Sequence, residues 1–188
     1  MKAVKDIPGW FDFADLYDQL IRLIPNDGAF VELGAWLGKS SAYLCDRAQL
    51  YENEVGNKVN AYIVDHWQGS ADELETTQRL ATERDIYQMF LANMGRRDFT
   101  AMRMDTAEAS KQFADQSVDV VFVDAQHTYE AVHRDLTHWL PKVKKGGVIA
   151  GHDYYLDGVR RAVHEVLKHP ISMWGSCWVH PVGTKEKP

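Results

Sequence analysis

Phe30-Val31-Glu32-Leu33-Gly34-Ala35-Trp36-Leu37-Gly38-Lys39-Ser40-Ser41 is the stretch on which the reading of this chain turns. An apolar strand runs into a carboxylate, a glycine loop comes next, and a helix starts after it. Glycine has no Cβ and tolerates positive φ, so such a loop lets a nucleotide-like ligand approach the backbone. A carboxylate at the strand tip can take a ribose hydroxyl or an amine. Two phosphate-binding patterns fit badly. A P-loop needs one residue more than the Ala35-Trp36-Leu37 that separates Gly34 from Gly38. A dinucleotide fingerprint needs G-x-G-x-x-G, and its second glycine is missing.

Working outward, strand and helix signals alternate, which predicts an α/β fold with a parallel sheet. Strands are expected over Ala29 to Leu33, Val59 to Val64, Phe99 to Met104, Val118 to Val123 and Gly147 to Ala150. Helices are expected over Phe11 to Ile24, Ser40 to Leu50, Thr106 to Phe113, His127 to Leu140 and Asp157 to His169. The polar stretch Glu52 to Lys58 reads as a connector, and Gly69 to Gly95 as a long excursion with helical spacing around Ile86, Phe90, Leu91 and Met94. The weak alternation of Ile171 to Val182 around Gly175 reads as a hairpin.

The 188 residues suggest one domain, 1–188, with 1–27 as an N-terminal helical cap. A hydrophobic content of 45% and a charged content of 26% are ordinary for a globular chain. A net charge of −6 argues against general nucleic-acid binding, which needs clustered Lys and Arg, and the tail Lys185-Glu186-Lys187 is too short to change this. Cys45 and Cys177 make no disulfide framework. No apolar run approaches a membrane-spanning length, and the N-terminus lacks a signal-peptide core. The expectation is a cytoplasmic protein with no membrane partner, for which a homo-oligomer is left open.

Each of the five predicted parallel strands ends at or beside an acid: Glu32, Asp65, Asp105, Asp124 and Asp153. Ligands of open parallel sheets bind outside the carboxyl ends of the strands. A row of acids there is costly unless cations or hydrogen-bond donors meet it. Asp65 suits two ribose hydroxyls, because a carboxylate offers two acceptor oxygens. Asp105 reads equally well as the cap of the next helix. His66 and Trp67 read as packing at the rim. Tyr129 and Tyr154 have packing as their default and a pocket wall as the alternative. Trp10 and Phe11 can be a lid, an intersubunit contact or core.

The E-x-G-x-x-x-G run resembles the first motif of class I S-adenosylmethionine-dependent methyltransferases. Downstream stand Asp124-Ala125-Gln126-His127-Thr128-Tyr129 and Leu140-Pro141-Lys142-Val143-Lys144-Lys145-Gly146-Gly147-Val148-Ile149-Ala150-Gly151-His152-Asp153-Tyr154. Together these are similar to a subgroup that includes the metal-dependent O-methyltransferases of macrolide sugars and the cephalosporin-hydroxylase-like proteins. The resemblance covers roughly residues 28 to 155. It implies a Rossmann-like, doubly wound, mostly parallel seven-stranded sheet with an antiparallel C-terminal hairpin.

The resemblance also implies a site. S-adenosylmethionine would lie on Glu32, Gly34, Gly38 and Asp65, with Asp105 and Thr106 near the adenine. A divalent metal would sit on Asp124, His152 and Asp153, activating a small-molecule hydroxyl, with His127 as general base beside Asp124. The relatives place acids or an Asp-Asn pair where this chain has His152-Asp153. Magnesium prefers oxygen ligands and imidazole suits transition metals, so either His152 shifts the preference from magnesium toward manganese, iron or zinc, or it serves as something other than a ligand. The expected reaction is O-methylation. The rivals are a non-catalytic cofactor-binding module and a nicotinamide oxidoreductase on a similar sheet.

Overall fold

A computed structural model describes residues 1–70, 75–168 and 171–183. Residues 71–74 of the expected excursion, His169 of the expected last helix and the Lys185–Lys187 tail lie outside the described residues. In chain order the elements are α1 (Ala14–Arg22), β1 (Gly28–Leu33), α2 (Lys39–Val55), β2 (Val59–Asp65), α3 (Glu75–Glu83), α4 (Ile86–Met94), β3 (Thr100–Arg103), α5 (Thr106–Ser110), β4 (Val118–Val123), α6 (Tyr129–Trp139), β5 (Val143–Gly151), α7 (Asp157–Leu167), β6 (Ser172–Trp174) and β7 (Cys177–Pro181).

The strands form one seven-stranded sheet in the order β3-β2-β1-β4-β5-β7-β6. The first five are parallel; β7 runs antiparallel to both β5 and β6, which is the expected C-terminal hairpin. β1 and β4 are buried along nearly their whole length, as central strands covered on both faces must be. Side chains alternate between faces. Phe30, Ile63, Val120 and Phe122 pack under α1, α2 and α4, whereas Val31, Leu33, Val121, Val123 and Ile149 pack under α6 and α7.

Register aligns the strand ends. Leu33 stands opposite Val64 and Val123, and Val123 opposite Gly151. The next residues, Gly34, Asp65, Asp124 and His152, therefore lie in a row along one edge of the sheet. That row spans the β1–β4 boundary, where the strand order reverses and ligand crevices open.

Three boundaries differ from expectation for physical reasons. α2 continues through the polar residues to Val55 and stops at Gly56, whose φ of +78° lets its N–H reach the carbonyl of Glu52 at 2.8 Å. Glu and Gln are good helix formers, so polarity alone marked no end. α1 starts only at Ala14; before it Phe11 and Phe13 lie in an irregular lead-in, where their rings pack edge to face at 4.8 Å. β5 begins at Val143 beside Val118, and its pairing then shifts past Asp119, whose carboxylate accepts from Lys144 Nζ at 2.8 Å.

Candidate active site

The glycine loop is held as a rigid block. Asp65 Oδ2 accepts from the backbone N–H of Ala35 at 2.9 Å and of Trp36 at 3.0 Å, and Oδ1 accepts from Trp67 N–H at 2.6 Å. The Trp67 indole donates to the Trp36 carbonyl at 2.9 Å, and Asn93 of α4 donates to the Leu37 carbonyl at 2.9 Å. Trp36 and Trp67 both have positive φ, +49° and +55°. Such conformations cost energy in non-glycine residues and persist only where surroundings impose them. Two glycines serve close protein approach. A Cβ on Gly34 would fall 2.1 Å from the Asp124 carbonyl oxygen, and one on Gly38 would fall 2.9 Å from the Phe90 ring.

Glu32 lies elsewhere than expected. Strand alternation puts it on the face of Phe30, fully buried beneath α1 and α2. It accepts from the Tyr17 hydroxyl at 2.7 Å and from the Ser41 hydroxyl. It lines neither of the two cavities at the sheet edge. Burial pushes its carboxyl up to about 7, against the stabilising donors Ser41 and Tyr17. The folded value lies above the ordinary 4.5, so folding carries no penalty from Glu32 below pH 4.5 and loses stability as pH rises through 7. Glu32→Gln should therefore gain on the wild type by about 3 kcal/mol between pH 4.5 and 8 in urea denaturation. Parallel pH profiles for the two proteins would contradict this.

Two cavities flank the row of strand ends. One, of about 290 Å³, is lined by Asp65, His66, Asp105, Thr106, Gln126 and Arg134. The other, of about 600 Å³, is lined by residues 8–12 of the lead-in, Lys39, His127, His152, Asp153 and Tyr155. Gly34, Trp36, Asp124 and Ala125 line both, so the cavities meet at the β1–β4 boundary. Asp105 is the cap of α5 and also lines the smaller cavity. It caps α5 by accepting from Ala107 N–H at 2.9 Å, and its other oxygen meets Arg134 at 3.1 Å at the cavity wall. Thr106 is buried, and its hydroxyl donates to Asp135 at 2.5 Å.

At the junction, Asp124, His152 and Asp153 offer ligand atoms that all lie within 4.8 Å of one another. His152 Nδ1 stands 3.4 Å from Asp124 Oδ1 and 3.3 Å from Asp153 Oδ2. Two ligands about 2.1 Å from one cation at 90–110° are about 3.0–3.4 Å apart, so these separations suit a small divalent ion. Asp153 holds a left-handed φ of +55°, a conformation Asp tolerates better than most residues. His127 Nε2 approaches Asp153 Oδ2 to 3.0 Å and Asp124 Oδ1 to 3.9 Å.

Charges here are strongly coupled. Burial alone would raise the Asp153 carboxyl, but hydrogen bonds from His127, His152 and Tyr155 outweigh it and hold it well below the usual carboxylate range. Burial disfavours charge on His127 and His152, yet hydrogen bonds to Asp124 and Asp153 raise both to about 10.

Sequence reasoning missed Asp12, Ser176 and Tyr155. Asp12 Oδ1 lies 3.0 Å from His152 Nε2, and Ser176 Oγ lies 2.9 Å from the same nitrogen. Nothing local in sequence links residues so far apart. Trp10 and Phe11 do line the larger cavity, with Trp10 66% exposed at its mouth. Tyr129 and Tyr154 turn instead toward α7, Tyr129 donating to Glu165 at 2.6 Å and Tyr154 meeting His164 at 2.7 Å. His66 stands on the smaller cavity, and Trp67 is buried against Tyr87 and Phe90.

The fold recurs among solved O-methyltransferases. The O-methyltransferase NovP superposes with a TM-score of 0.65 at 14% identity, covering 91% of this chain and 79% of that one. The calicheamicin methyltransferase CalS11 gives 0.64 at 15% identity, with 91% and 79% covered. A putative caffeoyl-CoA O-methyltransferase from Staphylococcus aureus gives 0.59 at 15% identity, with 94% and 85% covered. At these identities the likeness is one of fold, a mostly parallel, Rossmann-like sheet with helices on both faces. Residues 31–154 match the family model described as a methyltransferase domain, and the chain belongs to that family. An uncharacterized protein, y4gI, of Sinorhizobium fredii is 28% identical over 148 residues, which are 77% of this chain. The chain spans only 14% of that relative's length. Among the described residues, no helix is long and apolar enough to cross a membrane.

Proposed function

We propose that this protein methylates a hydroxyl oxygen of a small molecule, with S-adenosylmethionine as donor and a divalent cation at Asp124, His152 and Asp153. The observation that carries the reading is the row Gly34, Asp65, Asp124 and His152 at the meeting point of two cavities. The smaller, polar cavity suits the nucleoside end of the donor, with Asp65, Asp105 and Thr106 on its wall. Gly34 and Gly38 shape the loop there, and Glu32 ties the end of β1 to α1 and α2 through Tyr17 and Ser41.

Asp65 fits this role with a limit. A carboxylate has about four acceptor positions, and three are taken by loop N–H groups. One position on Oδ1 remains, so Asp65 takes one ribose hydroxyl with the loop as it stands, not two. Asp65→Ala loses that bond and the clamp together. Calorimetric titration with S-adenosylmethionine or its demethylated product should show about 10- to 100-fold weaker binding, the equivalent of 1.5–3 kcal/mol for a charge-assisted bond. Unchanged affinity in a folded variant would remove Asp65 from the donor site.

The larger cavity suits the acceptor. A bound cation there supplies Lewis acidity that makes the acceptor hydroxyl easier to deprotonate. Asp124 and Asp153 hold negative charge at the sheet edge, and the imidazole of His152 favours manganese, iron or zinc over calcium. His127, three residues after Asp124, stands on the acceptor side within reach of Asp153 and receives the proton. It can do so only when its own proton has been given up, which positive charge beside the two carboxylates would promote. Placing donor and acceptor in line across the junction is the main work of the scaffold.

A further inference from the structure

The irregular lead-in before α1 meets the site at one point. Asp12 and Phe13 both touch His152. The Phe13 ring lies 4.8 Å from the imidazole, tilted by 50°. Asp12 Oδ1 lies 3.0 Å from Nε2, and Ser176 Oγ donates to Asp12 at 3.1 Å while lying 2.9 Å from the same Nε2. The segment is pinned at its other end too, since Lys39 at the start of α2 donates to the Gly9 carbonyl at 3.0 Å. Both ring nitrogens are thus committed. With Nε2 turned to the Asp12 carboxylate, Nδ1 faces the Asp124–Asp153 pair, and it would offer its lone pair to a cation there once its own proton is given up. A carboxylate on the far nitrogen of a ligating histidine fixes the tautomer and raises the basicity of the near one.

We propose that Asp12 is a positioning residue that holds His152 with Nδ1 facing Asp124 and Asp153, and so sets the affinity of the cation site. The inference rests on the cation reading of the proposed function, and it adds a residue from outside the sheet to the support of that site. In this role Asp12 acts through His152, although it also stands on the wall of the larger cavity. Its side chain is 66% exposed, so removing it leaves the core intact.

The test is a titration with Mn²⁺ alone, read by electron paramagnetic resonance of the free ion. Asp12→Ala should weaken Mn²⁺ binding about 10-fold, the low end for loss of such a partner, because Ser176 still offers an acceptor. Removing Ser176 as well by Ser176→Ala should weaken it further. Asp12→Asn keeps an acceptor oxygen and should recover most of the affinity. Imidazole ¹⁵N shifts of His152 should report a changed tautomer in Asp12→Ala and the wild-type one in Asp12→Asn. Wild-type protein that binds no Mn²⁺ would overturn the cation reading and this proposal with it. Wild-type affinity and an unchanged His152 tautomer in Asp12→Ala, beside a wild-type protein that does bind Mn²⁺, would overturn the positioning role alone.

Discussion

Asp153→Asn should lower Mn²⁺ affinity at least 100-fold and cut methyl transfer by about 10³-fold or more. Asparagine has almost the same shape and tolerates a left-handed φ as well as aspartate does, so the +55° backbone is kept. What is lost is one negative charge where His127 and His152 converge. Lewis-acid assistance is worth several kcal/mol of barrier, and each 1.36 kcal/mol is about tenfold in rate. Screening hydroxyl compounds for formation of the demethylated cofactor supplies the acceptor for the rate assay. Metal titration needs no acceptor and is read first. Full Mn²⁺ affinity in Asp153→Asn would move the cation elsewhere. Full activity without metal binding would leave deprotonation to His127 alone.

Gly34→Ala should cost about 2–5 kcal/mol of stability. The φ of +90° is strained for any residue with a Cβ, at roughly 1–2 kcal/mol. The new methyl would also fall 2.1 Å from the Asp124 carbonyl oxygen and 2.7 Å from the Ala125 Cα. Both are backbone atoms of a central strand end and cannot swing aside, so overpacking of about 1–3 kcal/mol is added. Gly56→Ala is the control. Its φ is +78°, but nothing lies within 4 Å of the place its methyl would take, so it should lose only the strain. Urea denaturation of the two variants measures the difference. Equal losses would mean that the loop after β1 gives way more easily than its contacts indicate. Because the Asp124 carboxylate hangs from the same backbone, Gly34→Ala should also lower Mn²⁺ affinity in whatever fraction remains folded.

The fold was legible because β1, β4 and the second half of β5 carry short apolar runs, 29–31, 120–123 and 148–150, each with a breaker or an acid close behind it. Val118 to Val123 needed no context to be read as a central strand. The positions of Asp65, Asp124 and Asp153 at the sheet edge came with that reading, because strand ends are local features. What those carboxylates bond was not legible. The three N–H groups on Asp65 come from Ala35, Trp36 and Trp67, brought there by loop conformations that no pattern announces. Glu32 shows the same limit. Its place after Val31 gave its face of the sheet, but only the arrival of Tyr17 and Ser41 shows that this face is closed above it. Asp12 was out of reach altogether, as its partners lie 140 and 164 positions away.

That last separation bears on how the molecule comes into being. A ribosome adds about 5–20 residues per second, so Ser176 emerges after Asp12 by roughly 10–30 s. β1, β2 and the glycine loop can collapse around their apolar residues well before then. The larger cavity, which Ser176 lines, cannot close until the β6–β7 hairpin has been made and docked on β5. Bringing such distant partners together carries the loop-closure entropy that slows non-local contacts. A nascent chain therefore has the β1–β2 part of its sheet before the larger cavity has the wall that Ser176 supplies.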